Sequence, residues 1–121
     1  MRKVLILEDE VSIRSFVVIN LKRAGYDTIE AGTGEEALRH LRENPDIGVA
    51  ILDIMLPDID GFEVCRRIRA NNKQIGIIML TARTQEMDKI TGLMIYMIMG
   101  MFTLCATARK WSTMPPSVAL L

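Results

Sequence analysis

The feature that most constrains the fold is a repeat of short apolar runs, each followed by a segment with helical spacing of apolar residues. Residues 4–7, 49–53 and 75–80 are runs of the kind that form strands covered on both faces. Residues 26–30 are a weaker run, typical of an edge strand. This alternation predicts a parallel sheet flanked by helices, with right-handed crossovers throughout.

The segments between the predicted strands carry helix signals. In the first, apolar residues from Ile13 to Ala24 fall on one stripe, and Gly25 follows as a C-terminal stop. The second begins at residues 33–36, Thr-Gly-Glu-Glu, which have the spacing of a capping box. The third follows the turn-rich loop at residues 56–61. This third helix is expected to bury three side chains, those of Phe62, Cys65 and Ile68.

The composition changes sharply near residue 90. All 15 acidic residues lie within residues 1–89, whereas residues 90–121 contain no acid, two bases and five of the nine methionines. Residues 90–108 carry no charge and are long enough to raise the prediction of a membrane span. The threonines and two glycines in that stretch favour a strand of a globular domain instead, and we expect no membrane contact.

The elements predicted for this C-terminal region are less regular. A fourth helix is expected to begin near Thr84 and to turn Met87 and Ile90 inward, with Met94 as a further candidate. A fifth strand is expected within residues 96–106. Only the residues after Thr107 then remain for a final helix, and the proline pair at 115–116 interrupts it.

Length, charge and cysteine content exclude several classes of protein. A chain of 121 residues is the size of one small domain. Its net charge of zero does not indicate a general polyanion-binding surface. The two cysteines, Cys65 and Cys105, lack metal-ligand spacing and are predicted to be reduced, small apolar residues. Only four apolar residues separate Lys3 from Glu8, which is not the pattern of a signal peptide, so we expect a cytoplasmic location.

Polar residues follow three of the predicted strands at their carboxyl ends. Glu8 and Asp9 follow the first strand, Asp53 ends the third, and Thr81 follows the fourth. Ligands of open α/β sheets bind beyond these ends. Three carboxylates there would repel one another, and Mg²⁺, which prefers oxygen ligands, would relieve the repulsion. At such a site Asp53 can attack phosphorus as a nucleophile, and Thr81 can donate a hydrogen bond to a phosphoryl oxygen.

Three stretches of the chain, residues 4–9, 51–61 and 77–83, resemble in order and spacing the main motifs of the response-regulator receiver domain. The resemblance covers residues 1–94 of a single predicted domain at 1–121. It implies an α/β flavodoxin-like fold, a doubly wound parallel sheet with strand order 2-1-3-4-5. It also implies a two-component signalling module that is phosphorylated by a histidine kinase or a small phosphodonor and is not itself an enzyme.

The resemblance implies a role for each residue of the site. Mg²⁺ is assigned to four residues: Glu8, Asp9, Asp53 and, through its main-chain carbonyl, Met55. Asp53 is the phosphoacceptor. Thr81 supplies the switch hydroxyl, and Ala82 is the small residue beside the phosphoryl group.

The loop at residues 56–61 and the helix start that follows it are similar to those of receivers attached to winged-helix DNA-binding domains. These 121 residues contain no such output domain, so DNA is expected as a partner only through one. The other partners that the resemblance implies are a histidine kinase and a second copy in a homodimer.

The resemblance ends after about residue 94, and residues 95–121 are atypical, as if the reading frame had changed. The family's lysine at the end of the fifth strand falls on Thr103, and its switch aromatic falls near Gly100. The missing lysine favours an alternative, a degenerate receiver that binds partners regardless of phosphorylation. A second alternative, a phosphohydrolase of the haloacid-dehalogenase kind, needs an aspartate two residues after the nucleophile, where this chain has Met55.

Overall fold

A five-stranded parallel sheet with helices on both faces forms the body of the protein. The computed structural model describes residues 2–54, 56, 58–71, 74–80, 87–107 and 118–120; after residue 80, it describes side chains only at residues 89 and 91–101. The strands are β1 (Lys3–Leu7), β2 (Asp27–Ala31), β3 (Ile47–Asp53), β4 (Gly76–Leu80) and β5 (Val118–Leu120). The helices are α1 (Val11–Arg23), α2 (Gly34–Glu43), α3 (Gly61–Asn71) and α4 (Met87–Thr107). All strand pairs are parallel, and the order of the first four strands, 2-1-3-4, is as predicted. Strand β5 lies at the edge of the sheet next to β4.

The sheet has a separate core on each face because side chains alternate along a strand. On one face, Ile6, Ile51 and Ile78 pack with buried residues of α1 and α4. On the other face, Leu5 and Leu52 belong to the core that contains buried residues of α2 and α3. The middle strands β1, β3 and β4 are therefore covered on both sides, as their continuous apolar runs predicted.

The two helix-end signals read from the sequence are confirmed. Gly25 has a φ of +92°, and its N–H donates to the Lys22 carbonyl while the Tyr26 N–H donates to the Leu21 carbonyl, which ends α1. At the start of α2, the Thr33 hydroxyl oxygen accepts the Glu36 N–H at 3.2 Å. Gly25 thus ends α1 just before β2 begins, and Thr33 starts α2 just after β2 ends.

The prediction that α3 buries Phe62 is wrong. Phe62 is 58 % exposed, whereas Val64 and Ile68, four residues apart on the sheet-facing stripe, are buried. Cys65 is half-buried as a free thiol, and burial raises its pKa. The side chain of Cys105 lies outside the described residues.

The predicted fifth strand within residues 96–106 is also wrong, because α4 runs continuously from Met87 to Thr107. Its burial follows helical spacing: Met94, Ile98 and Met101 are buried, whereas Tyr96 is 75 % exposed. The stretch is apolar on every side, so its sequence does not distinguish a strand from a helix. The fifth strand is the short β5 at Val118–Leu120 instead, paired with β4.

The expectation of right-handed crossovers throughout is wrong for α4. The chain moves from β1 to β2 in one direction across the sheet and from β2 to β3, β4 and β5 in the other. If every crossover were right-handed, α1 would lie on one face of the sheet and all later helices on the opposite face. Instead α4 lies on the face of α1, so its connection has the opposite hand. We attribute this to the apolar side chains of β3 and β4 on that face, which α4 covers.

Two further predictions for the C-terminal region fall on residues that the structure does not describe. These are the helix start near Thr84 and the proline pair at residues 115–116. The side chains of Met87 and Ile90, expected to turn inward, also lie outside the described residues. Within the described part of the chain, no helix combines the length and the apolarity that crossing a membrane requires.

Candidate functional site

Three carboxylates meet at the carboxyl edge of the sheet, as the sequence predicted. Glu8 directly follows β1 and Asp53 ends β3, and these strands are paired with Leu7 opposite Leu52. The next position on each strand therefore brings Glu8 beside Asp53, and Asp9 follows in the loop to α1. One carboxylate oxygen from each of the three residues lies within 4.8 Å of the others.

Burial makes this acidic cluster costly without a counter-charge. Glu8 is 2 % exposed and Asp53 is 4 % exposed, while Asp9 is half-buried. Two unit negative charges 4.8 Å apart repel by about 3 kcal/mol at an effective dielectric constant of about 20. An all-oxygen donor set of this kind suits a hard divalent cation. The residues present therefore fit a cation site.

The loop after Asp53 folds back onto the main chain of that residue. The Gly61 N–H donates to the Ile54 carbonyl at 2.9 Å. A Cβ on Gly61 would overlap the carbonyl oxygen of Asp53 and lie 2.7 Å from the Cα of Ile54. Gly61 does not have a positive φ. Its requirement is the absence of a side chain, which lets α3 begin directly against Asp53.

Asp58 anchors the same loop to the start of α2. Its two carboxylate oxygens accept the Gly34 N–H at 3.1 Å and the Glu35 N–H at 3.2 Å. Partial burial raises the pKa of Asp58, but the N–H donors, including that of Ile59, lower the pKa by more, so it lies below its ordinary value. The sequence marks residues 56–61 only as a turn-rich loop, because the helix whose start Asp58 contacts is distant in the chain.

Arg14 is a residue of this edge that the sequence analysis missed. It lies in α1, and its Nη1 donates to the main-chain carbonyl of Glu8 at 2.7 Å. Its Nε donates to Oε1 of Glu30, on β2, at 3.2 Å. A basic residue one turn into the helix that follows the acidic pair is the signal that could have identified it.

Several predicted site residues lie outside the described part of the chain. These are Met55, Thr81 and Ala82. The Ile54 N–H donates to the Leu80 carbonyl at 3.2 Å, which holds the end of β4 beside the residue after Asp53. Thr103, expected at the end of the fifth strand, instead belongs to α4. The described strand β5, Val-Ala-Leu, contains no lysine.

The chain is similar to known proteins of one family. The sequence profile of the response regulator receiver domain matches residues 4–102. Over 93 residues the chain is 46 % identical to the alkaline phosphatase synthesis transcriptional regulatory protein PhoP of Bacillus subtilis, covering 76 % of this chain and 38 % of that protein. The chain thus spans about two fifths of the length of the curated relatives it matches.

Solved structures agree with this relationship. The response regulator TrrA of Thermotoga maritima, in complex with Mg²⁺–BeF, superposes with a TM-score of 0.65 at 34 % identity, covering 77 % of this chain and 80 % of that one. A complex of the histidine kinase ThkA with TrrA matches with a TM-score of 0.65 at 38 % identity, covering 70 % of this chain and 72 % of the matched chain. With the fold, the acidic edge and the profile match in agreement, the chain belongs to the response regulator receiver domain family.

Proposed function

We propose that this receiver domain accepts a phosphoryl group on Asp53. The observation that carries the proposal is the cluster of Glu8, Asp9 and Asp53, whose carboxylate oxygens lie within 4.8 Å of one another. Asp53 is the member that ends a central strand, and the loop anchored by Gly61 fixes its main chain. A fixed carboxylate next to a cation site is suited to act as a nucleophile.

Mg²⁺ is the cation that we propose for this site. Glu8, Asp9 and Asp53 would hold it through carboxylate oxygens, and the Met55 carbonyl is a further proposed ligand. When bound, the ion supplies positive charge that offsets the carboxylates and the phosphoryl oxygens. The Mg²⁺–BeF complex of TrrA supports this choice, because that protein shares the fold and 34 % of the aligned sequence.

In the proposed reaction, a carboxylate oxygen of Asp53 forms a bond to phosphorus while the bond between phosphorus and the donor breaks. The product is an acyl phosphate on Asp53, and the donor group leaves with its electron pair and takes a proton from solvent. Thr81 is proposed to donate its hydroxyl to a phosphoryl oxygen, and Ala82 to leave room beside it. The chain is then a substrate of phosphoryl transfer rather than an enzyme.

A histidine kinase is the proposed donor in a signalling pathway. The complex between ThkA and TrrA supports this proposal, since its matched chain is 38 % identical to this one. Because PhoP is a transcriptional regulatory protein and is far longer than this chain, we further propose that any contact with DNA belongs to residues beyond those of the receiver domain.

A second candidate function is a receiver that binds its partner whether or not it is phosphorylated. One observation favours it: Thr103, at the position of the family's lysine, belongs to α4 rather than to a strand end. The phosphoryl group would then lack a cationic partner there. The buried acidic cluster argues for the first candidate, because a pure interaction module does not need it.

The two candidates differ in a labelling experiment. The chain is incubated with acetyl phosphate and Mg²⁺, and its intact mass is measured. We expect one phosphoryl group on the wild type, none on Asp53→Asn, little without Mg²⁺, and loss of the label in hydroxylamine, which cleaves acyl phosphates. Asp60→Asn is the matched control, since Asp60 caps α3 by accepting the Glu63 N–H. Label on Asp53→Asn would contradict the assignment of Asp53, and an unlabelled but folded wild type would favour the second candidate.

A further inference from the structure

Arg14 joins the ends of two strands at the acidic edge. Its side chain is only 18 % exposed, and its guanidinium contacts two partners at once. One is the main-chain carbonyl of Glu8, after β1, and the other is the carboxylate of Glu30, on β2. A planar guanidinium can donate in two directions from a fixed geometry, which a lysine ammonium on a flexible stem cannot reproduce.

The main chain of Glu8 is held from both sides as a result. Its N–H donates to the Ala31 carbonyl at 3.1 Å, which extends the pairing of β1 with β2 by one residue. Its carbonyl accepts from Arg14 at 2.7 Å, a short hydrogen bond with a charged donor. Asp9 is the next residue, so the same two contacts restrict the direction from which both carboxylates reach the cluster.

Arg14 has two effects on cation binding, and they have opposite signs. Its hydrogen bond to Glu8 orders two of the three carboxylates before a cation arrives, which strengthens binding. Its positive charge repels a cation at the same edge, which weakens binding. The Glu30 carboxylate lies 3.2 Å from Nε and offsets part of that charge. The paired charge and the short bond to the carbonyl therefore favour the ordering effect.

We propose that Arg14 is a positioning residue that strengthens Mg²⁺ binding by holding the main chain of Glu8 against β2. This inference rests on the cation site proposed above. Geometry and charge are separable, because Arg14→Lys keeps the charge and loses the two-directional contact, whereas Arg14→Ala loses both. Glu30→Gln keeps an oxygen acceptor for Nε and removes only the carboxylate charge.

The test is a Mg²⁺ titration followed by the NMR shifts of the Asp9 and Asp53 amides. Relative to wild type, Arg14→Lys is expected to weaken Mg²⁺ binding by roughly tenfold, the effect typical of residues that orient metal ligands. Arg14→Ala is expected to weaken it by less, because it also removes the charge that repels the cation. Glu30→Gln is expected to change the affinity less than either. Arg23→Lys, on the exposed last turn of α1, is the matched control and is expected to bind like wild type.

A second control separates positioning from loss of stability. Val18→Ala removes a buried side chain of α1 that is not one of the hydrogen-bonding residues, and it is expected to lower the unfolding temperature without changing Mg²⁺ affinity. Wild-type affinity in Arg14→Lys, tighter binding in Arg14→Ala, or equal weakening in Val18→Ala would each overturn the inference. A wild-type chain that shows no Mg²⁺-dependent shift would overturn the proposed cation site as well, which distinguishes the two failures.

Discussion

The acidic edge and helix α4 are held in place by different kinds of interaction. At the edge, directional hydrogen bonds fix the main chain around the carboxylates: Arg14 and Gly61 donate to main-chain carbonyls. The Asp58 carboxylate accepts main-chain N–H groups at the start of α2. Helix α4 carries no charge after Lys89 and packs through an apolar stripe that includes Met94 and Ile98. Directional contacts specify one geometry, whereas apolar burial specifies mainly which surface is covered.

This difference explains how one helix can lie on an unexpected face while the edge keeps its arrangement. The apolar surface of β3 and β4 on the α1 side needs a cover, and Ile51, Ile78 and Leu80 are all buried there. Burying that surface under α4 is favourable whichever hand the connection between β4 and β5 has.

The largest effect is expected for the packing of α4. Ile98→Ala should lower the free energy of unfolding by about 2–5 kcal/mol, because Ile98 is fully buried in the core shared with α1. Tyr96→Ala, on the exposed side of the same helix, should change it by less than about 0.5 kcal/mol. Urea denaturation of both variants checks the prediction. Equal destabilisation would mean that α4 does not present this stripe to the sheet.

A smaller effect, with opposite signs in the two regions, is expected for glycine substitutions. Gly61→Ala should destabilise the chain by about 1–3 kcal/mol, because its Cβ would overlap the main chain of Asp53 and Ile54. Gly92→Ala, on the exposed side of α4 with nothing within 4 Å of its Cβ, should stabilise it by about 0.5–1 kcal/mol. Thermal unfolding measures both. A Gly61→Ala variant as stable as wild type would show that the loop can retreat from Asp53.

The smallest effect is expected for the carboxylate that anchors the loop to α2. Asp58→Asn should cost about 0.5–1 kcal/mol near neutral pH, reduced by solvent exposure, because an amide oxygen can replace only one of the two acceptors. The pKa of Asp58 is lowered in the folded state from its ordinary 3.8, so its contribution is present above about pH 4 and fades as pH falls through the folded-state pKa. Urea midpoints at several pH values check this. A difference between variant and wild type that stays undiminished as the pH is lowered from 7 to 2 would contradict it.

The sequence predicted the fold up to β4 and the carboxylates of the site because their signals are local and agree with one another. The strand ends, the capping box and Gly25 each favour a single local backbone conformation. Strand pairing then brings Glu8 next to Asp53. The structure describes this cluster as predicted, while the roles of its members stay predictions.

The features that the sequence did not predict have two causes. Some depend on contacts between residues that are distant in the chain, and others lie in a segment whose hydropathy is too uniform to show a periodicity. Asp58 caps a helix that begins 24 residues earlier, and Arg14 reaches a strand 16 residues later. Residues 90–107 are nearly uniform in hydropathy, so neither helical nor strand periodicity stands out. Only packing against the sheet decides that Ile98 is buried and Tyr96 is exposed.

The central claim is that a phosphoryl group on Asp53 changes the protection of the acidic edge but leaves that of α4 nearly unchanged. A charge-assisted contact from the family's lysine contributes on the order of 1.5–3 kcal/mol, whereas a neutral hydrogen bond contributes roughly 0.5–1.5 kcal/mol. Neither α4 beyond Lys89 nor β5 contains a lysine. The stabilisation lost when no lysine contacts the phosphoryl group is comparable to the few kcal/mol that separate the two states of a switch.

Hydrogen exchange with and without a beryllofluoride mimic and Mg²⁺ tests this claim most directly. We expect added protection in the segments that flank Asp53 and follow Glu8, and little change across residues 84–102. Asp53→Asn, treated in the same way, is the control and is expected to change nowhere. Protection changes across residues 84–102 as large as those around Asp53 would contradict the account, and would mean that another group of the chain replaces the lysine.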